Sequence, residues 1–225
     1  MALKSTTHSY LAKLGFPTLD KQEIDIPVRL AIFERAQGNI YQWNSTRIEA
    51  IPRDKSLIAS FYVEDRKFEG LVMGKRLAME RLDWFYALIQ PDISVFYDAP
   101  LVDQLWRTWL GKVIARKWQD MGYLVIPNLV LASADNFDAA IYGIPSEHIF
   151  AVQIQANDNN PSQDAVDEQT IKRAIDILKP KIVVIYGTEA RMNKLNLQED
   201  SIIRRVHTRI DYLHSLRDGK KQQKK

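Results

Sequence analysis

The chain has 225 residues, of which 46% are apolar, 26% charged and 10% aromatic, with five tryptophans and no cysteine. A chain of this length and composition buries a sizeable core, and without cysteine it has no disulfides, thiolate metal sites or cysteine nucleophile. The net charge of +3 resides wholly in residues 218–225, four lysines and one aspartate, so the remainder is neutral and not a basic nucleic-acid-reading body.

No run approaches the ~18 consecutive apolar residues of a membrane-spanning helix. Residues 1–9 are polar and mixed, unlike a secretory leader, so the expectation is a cytoplasmic protein without a membrane segment. Residues 1–55 show no sustained period. A short helix over 5–14, stopped by Gly15 and Pro17, is predicted there, and 28–33 is an apolar run too short to assign. The stretch reads as an N-terminal extension packing on the main body, which would cover Ile40, Tyr41 and Trp43.

From residue 56, apolar runs of strand length alternate with stretches of helical spacing. The runs are 57–62, 86–93, 123–131, 149–154 and 181–186, rich in Val, Ile, Tyr and Phe and apolar nearly throughout, as in strands buried on both faces. The clearest helix is 100–121. There Val102, Leu105, Trp106, Trp109, Val113 and Ile114 recur at spacings of three and four, Asp98 stands where a cap would, and Gly122 follows as a stop. By that spacing Trp106, Trp109 and Trp118 are core residues. A second helix ends at Pro180, residues 157–167 read as a polar mobile loop, and Gly143-Ile144-Pro145 reads as a tight turn.

The pattern predicts an α/β domain over 56–217 with a mainly parallel sheet built from strand-helix repeats. Its form is either barrel-like, complete or partial, or open and doubly wound. Residues 218–225 are a basic disordered tail. In such a sheet the polar residues just after each strand converge on one rim. The candidates are Asp65 and Arg66 after the first run, Asp92 after the second, Asn128 after the third, Gln153 and Gln155 at the fourth, and Tyr186 and Gly187 at the fifth; Asp98 is either a rim residue or a helix cap. Asp92 stands out, because an acid leaving an apolar strand must be hydrogen-bonded, paired or coordinated. It is the candidate catalytic residue, as general base or as ligand of a hard cation such as Mg2+, with Asn128 and Tyr186 orienting a substrate. No phosphate loop, dinucleotide fingerprint, nucleophile elbow or histidine pair at metal spacing occurs; His207 and His214 fall on a predicted terminal helix.

Five short motifs occur in order: Gln90-Pro91-Asp92, Asp98-Ala99-Pro100, Ile126-Pro127-Asn128, Gly143-Ile144-Pro145, and Lys179-Pro180 before a strand ending in Tyr186-Gly187. Together they resemble the family called domain of unknown function 4417, over about residues 56–188. The resemblance implies association with bacteria, phages and mobile elements, and brings no activity with it. Two readings follow. One is a polar pocket at the strand C-termini that binds a nucleotide, nucleic-acid phosphate or sugar, with hydrolytic chemistry assisted by a divalent ion. The other is a non-catalytic binding or assembly protein acting through protein or nucleic-acid contacts. An open pocket at Asp92 and Asn128 favours the first, and burial of both beneath the N-terminal extension favours the second.

Overall fold

The computed structural model describes residues 5–25, 41–43, 55, 57–154, 160–198 and 202–206. Gln155, the predicted terminal helix, the basic tail and the 28–33 run lie outside them. Helix α1 (Ser5–Lys13) ends before Gly15, whose φ of +74° turns the chain as the sequence predicts. The strands are β1 (Tyr41–Gln42), β2 (Ile58–Ser60), β3 (Ala87–Ile89), β4 (Val125–Ile126), β5 (Ile149–Gln153), β6 (Ile182–Tyr186) and β7 (Ile203–Val206). Short helices α2 (Glu69–Val72) and α3 (Arg76–Glu80) follow β2. Helix α4 (Leu101–Asp120) joins β3 to β4, α5 (Phe137–Ile141) precedes β5, α6 (Pro161–Leu178) joins β5 to β6, and α7 (Glu189–Lys194) follows β6.

Every strand pair is parallel, in two ladders of order β1-β2-β3-β4 and β5-β6-β7. A single bridge between Asn128 and Ala151 joins them: Leu129 N donates to Ala151 O at 2.7 Å and Ala151 N to Pro127 O at 2.8 Å. The strand order therefore runs in chain order without the reversal that a doubly wound sheet requires. The predicted strands are present but shorter; β3 and β4 stop because Pro91 and Pro127 lack the N–H that would continue a ladder. Two further strands appear. β1 lies inside the predicted extension, so residue 55 does not mark the edge of the sheet, and β7, with Arg204 and Arg205, follows the last predicted run.

The two faces of the sheet differ. Phe61, Leu88 and Val125 pack with Trp118 and Ala115 of α4 on one side, and Val152, Val183 and Ile185 pack with Ile171 and Ala174 of α6 on the same side. On the other side Ile58, Tyr62, Ile89, Ile126, Ala151, Val184, Tyr186 and Val206 form one cluster. The rings of Tyr62 and Tyr186 stack there with centroids 4.9 Å apart, although a flat sheet would separate β2 and β6 by four steps, ~19 Å. The sheet is thus strongly curled, with helices outside. Among the described residues no pairing joins β7 to β1, so no closed barrel forms.

Helix α4 buries a face turned from the predicted one, which it shares only in part. Its buried residues are Gln104, Thr108, Gly111, Lys112, Ile114, Ala115, Trp118 and Gln119, so Ile114 and Trp118 are core as predicted, while Val102 and Trp106 are exposed and Trp106 stacks on Trp109 at 4.7 Å. The reason is twofold. A Cβ at Gly111 would lie 3.0 Å from Pro91 O, so glycine lets the helix approach the end of β3 closely. The buried polar residues are spent on loops: Gln104 Nε2 donates to Tyr97 O and Ala99 O, and its Oε1 accepts from Ser133 N and Oγ. The predicted mobile loop is also corrected, since α6 starts at Pro161 and Asn160 caps it by accepting from Gln163 N.

Residues 19–25 form a strap across the N-terminal edge of the sheet. Leu19 N donates to Gly143 O at 2.9 Å, Gln22 N to His148 Nε2 at 2.9 Å, and Gln22 Oε1 accepts from Val125 N at 2.7 Å. Gly143 makes the predicted turn at φ +77°, and a Cβ there would sit 2.4 Å from Pro17 O. Among the described residues, no helix is long and apolar enough to cross a membrane.

Two tests follow from this packing. Gly143→Ala should cost roughly 1–3 kcal/mol in urea unfolding, from positive-φ strain plus displacement of the strap, and should expose residues 19–25 to protease. Lys112 is wholly buried, donates from Nζ to Ala140 O at 3.0 Å, and burial pushes its pKa down to about 7. The folded chain then binds fewer protons than the unfolded one between pH 7 and 10.5, so the cost of burying Lys112 is full below pH 7 and fades as pH rises. Lys112→Met should be more stable than the parent by roughly 1–4 kcal/mol at pH 6, with the gap closing toward pH 10.

Candidate functional site

At the opposite end from the strap, the ends of four strands meet. The Gln90 amide makes the last ladder bond of β3, donating to Ile126 O at 2.8 Å, and Pro91 and Pro127 then stop both strands. Wholly buried Asn128 is held from three sides. Its N–H donates to Gln90 Oε1 at 3.3 Å, its Oδ1 accepts from the Tyr62 hydroxyl at 2.9 Å, and its Nδ2 donates to Asp92 Oδ1 at 2.8 Å. The Tyr62 phenol stays protonated, and so a donor, because burial raises its pKa well above the ordinary value, with help from the charge of Asp92. That donor sets the amide orientation of Asn128 and aims Nδ2 at Asp92.

Asp92 is partly exposed, on a cavity of about 330 Å3. Surrounding protein desolvates its carboxyl and pushes the pKa up to about 7; the Asn128 hydrogen bond opposes this and the charge of Asp65 adds to it. Asp65 accepts from Ser94 N at 3.2 Å and from Ser94 Oγ at 2.9 Å, while Arg107 donates to Ser94 O at 3.1 Å. With Gln104 on Tyr97 O and Ala99 O, these bonds pin the loop that forms one wall of the cavity through Ser94, Phe96, Tyr97 and Asp98. Gln153 at the end of β5 and Gln163 and Asp167 of α6 form the facing wall.

Behind that wall lies a buried ion network. Arg191 of α7 is paired with Asp164 and, at 3.0 Å, with Asp167, and Lys194 reaches Asp164 at 2.7 Å. Gln163 Nε2 donates to Asp167 Oδ1 at 2.6 Å, and Gln163 Oε1 has no partner among the described residues. Burial raises the Asp167 pKa, opposed by the Gln163 bond and by Arg191.

The structure brings Asp92, Asn128, Asp65 and Asp98 together at this end. Asp98 lines the cavity and caps nothing: the N-cap position of α4 is Pro100, two residues further on, and no side chain caps that helix. Tyr186 is buried against Tyr62, and Gly187 is a packing glycine, since a Cβ there would lie 2.1 Å from Ile154 Cγ1. Arg66 points to solvent and pairs with Glu64 at 2.5 Å. Among the described residues no three His, Asp or Glu gather in metal-binding geometry, and Asn128, expected to orient a substrate, has its amide committed to Tyr62 and Asp92. Sequence reasoning missed Tyr62, Gln163 and the Arg191 network. The available signal was Asp164 and Asp167 three residues apart just after a proline that can begin a helix.

A raised carboxyl pKa means that the folded chain binds the extra proton between pH 4 and 7. Stability from Asp92 is therefore full below pH 4 and lost as pH rises through 7. Asp92→Asn, whose side-chain carbonyl can still accept from Asn128, should exceed the parent by roughly 2–4 kcal/mol at pH 8 and match it near pH 4. Urea denaturation at the two pH values checks this; a loss of stability at both would mean that Asp92 is structural.

The family model described as "Domain of unknown function (DUF4417)" matches residues 19–205. Two similar proteins are the "Gene 1 protein" of Mycobacterium phage D29, 23% identical over 162 residues, and that of Mycobacterium phage L5, 24% identical over 157 residues. The alignments take in 72% and 70% of this chain, but 60% and 69% of those proteins. No solved structure matches.

Proposed function

For a chain that belongs to the DUF4417 family, a phage-type protein of unknown function, we propose that the cavity at the strand C-termini binds the base or sugar part of a nucleotide, or a free sugar. In this reading Asp92 gives and takes a proton there. The curled parallel sheet is read as a partial barrel, whose strand C-termini are where such folds place their sites. The observation that carries the proposal is the relay from Tyr62 through Asn128 to Asp92, which ends on the cavity. Asn128 and Tyr186 are buried and so act by holding Asp92 and Tyr62, not by touching the ligand. A carboxyl titrating near neutrality suits general acid-base chemistry, here deprotonation of an attacking water and protonation of a leaving group in a hydrolytic step. The open position of Asp92, with the strap at the other end of the sheet, favours this reading over assembly.

The test is a thermal-shift panel of nucleosides, nucleoside monophosphates and monosaccharides, with and without Mg2+. A ligand at 100-fold its Kd should raise the melting temperature by about 5–10 °C, from ~2.7 kcal/mol of linkage. Val95→Trp, on the cavity wall, should abolish the shift by filling the site. A shift that survives Val95→Trp, or none from any compound, overturns the proposal.

A further inference from the structure

The walls of this cavity are unlike a phosphate site. Asp92, Asp98 and Asp167 bring three carboxyls, and the described lining contains no Lys, Arg or His. Arg191, behind the wall, is spent on Asp164 and Asp167. Gln163 is 5% exposed, its Nε2 donates to Asp167, and its Oε1 has no donor among the described residues. Ser94 Oγ already donates to Asp65, so the one hydroxyl hydrogen left to a ligand is that of Tyr97, whose oxygen accepts from Asn160 Nδ2 at 2.8 Å. Beside the Gln153 amide, which donates as well as accepts, the set is therefore rich in acceptors, and an unsatisfied buried acceptor costs free energy until a donor reaches it. Phe96 and Tyr97, both largely exposed, add aromatic surface on the same wall.

Resting on the reading that this cavity is a ligand site, we propose that it recognises a planar N–H edge of amidine or guanidine type, such as the amino edge of cytosine or adenine, and turns the phosphate of a nucleotide away from its floor. The N–H groups would satisfy Gln163 Oε1 and Asp167, and the ring would lie on Phe96 or Tyr97. Asp92 complements such an edge in its neutral form, with the O–H toward a ring nitrogen and the carbonyl oxygen toward the amino group. A phosphate in the same place would bring its negative charge among carboxyls without a cation.

Calorimetric titration of the full chain at pH 7 with cytidine against uridine, adenosine against inosine, methylguanidinium and inorganic phosphate tests this. The amino-bearing nucleoside of each pair should bind at least about tenfold more tightly than its keto partner, because a site built of acceptors leaves them unpaired against the keto edge. Gln163→Leu should reduce that preference to about twofold or less. Should Gln163→Leu fail to fold, Asp98→Asn at an exposed position takes its place, with a several-fold weakening of the amino members expected. Methylguanidinium binding without any nucleoside binding supports the edge chemistry and removes the nucleoside from the proposed function. Keto members binding as well as amino members, or phosphate binding, with Val95→Trp still abolishing it, overturns the edge inference and leaves the cavity reading standing. No binding by any probe, or binding indifferent to Val95→Trp, overturns both.

Discussion

The buried amide of Asn128 is the joint on which the structure turns. Its backbone stands at the bridge that joins the two ladders, and its side chain ties Tyr62 beyond β2 to Asp92 beyond β3. A wholly buried amide is costly unless it is hydrogen-bonded, and here the side-chain oxygen accepts from Tyr62 and Nδ2 donates to Asp92, while the backbone N–H of the same residue donates to Gln90. The same residue therefore holds the fold across the single bridge between its ladders and positions a carboxyl whose pKa burial raises. Fold and site share one constraint.

A second constraint is the choice of face on α4. The apolar residues at helical spacing define a stripe, yet Val102 and Trp106 of that stripe face water. Gly111 brings the helix onto Pro91, and that contact turns Gln104, Thr108 and Gln119 inward. Gln119 ties the strap by accepting from Asp20 N at 2.9 Å, and Gln104 ties the cavity loop. The helix thus serves as a rigid spine between the two ends of the sheet, with polar anchors in place of part of its core.

Electrostatically the cavity is an acidic pocket in a chain whose body is neutral. The low polarity around Asp92 and Asp167 raises the pKa of both, and it also makes any ligand charge there matter more than it would in water. On the proposed reading, selectivity comes from hydrogen-bond direction, because acceptors left unpaired against the wrong partner are costly.

By itself the sequence determined the elements with local causes. The apolar runs before Pro91 and Pro127, the helix stops at Gly15 and Gly122, the turn at Gly143 and the parallel α/β class follow from backbone chemistry within a few residues. It also singled out Asp92, because an acid at the end of an apolar strand has to be accounted for. Tertiary structure alone decided the curl that stacks Tyr62 on Tyr186, the inclusion of β1 and β7 in the sheet, and the buried face of α4. It also turned Arg66 to solvent, freed Asp98 from any cap and placed Arg191 behind Asp167. The curl, the added strands, the buried face of α4 and the placement of Arg191 depend on contacts between residues distant in sequence. A linear pattern of apolar and polar residues records that a side chain is to be buried, but not against which distant partner.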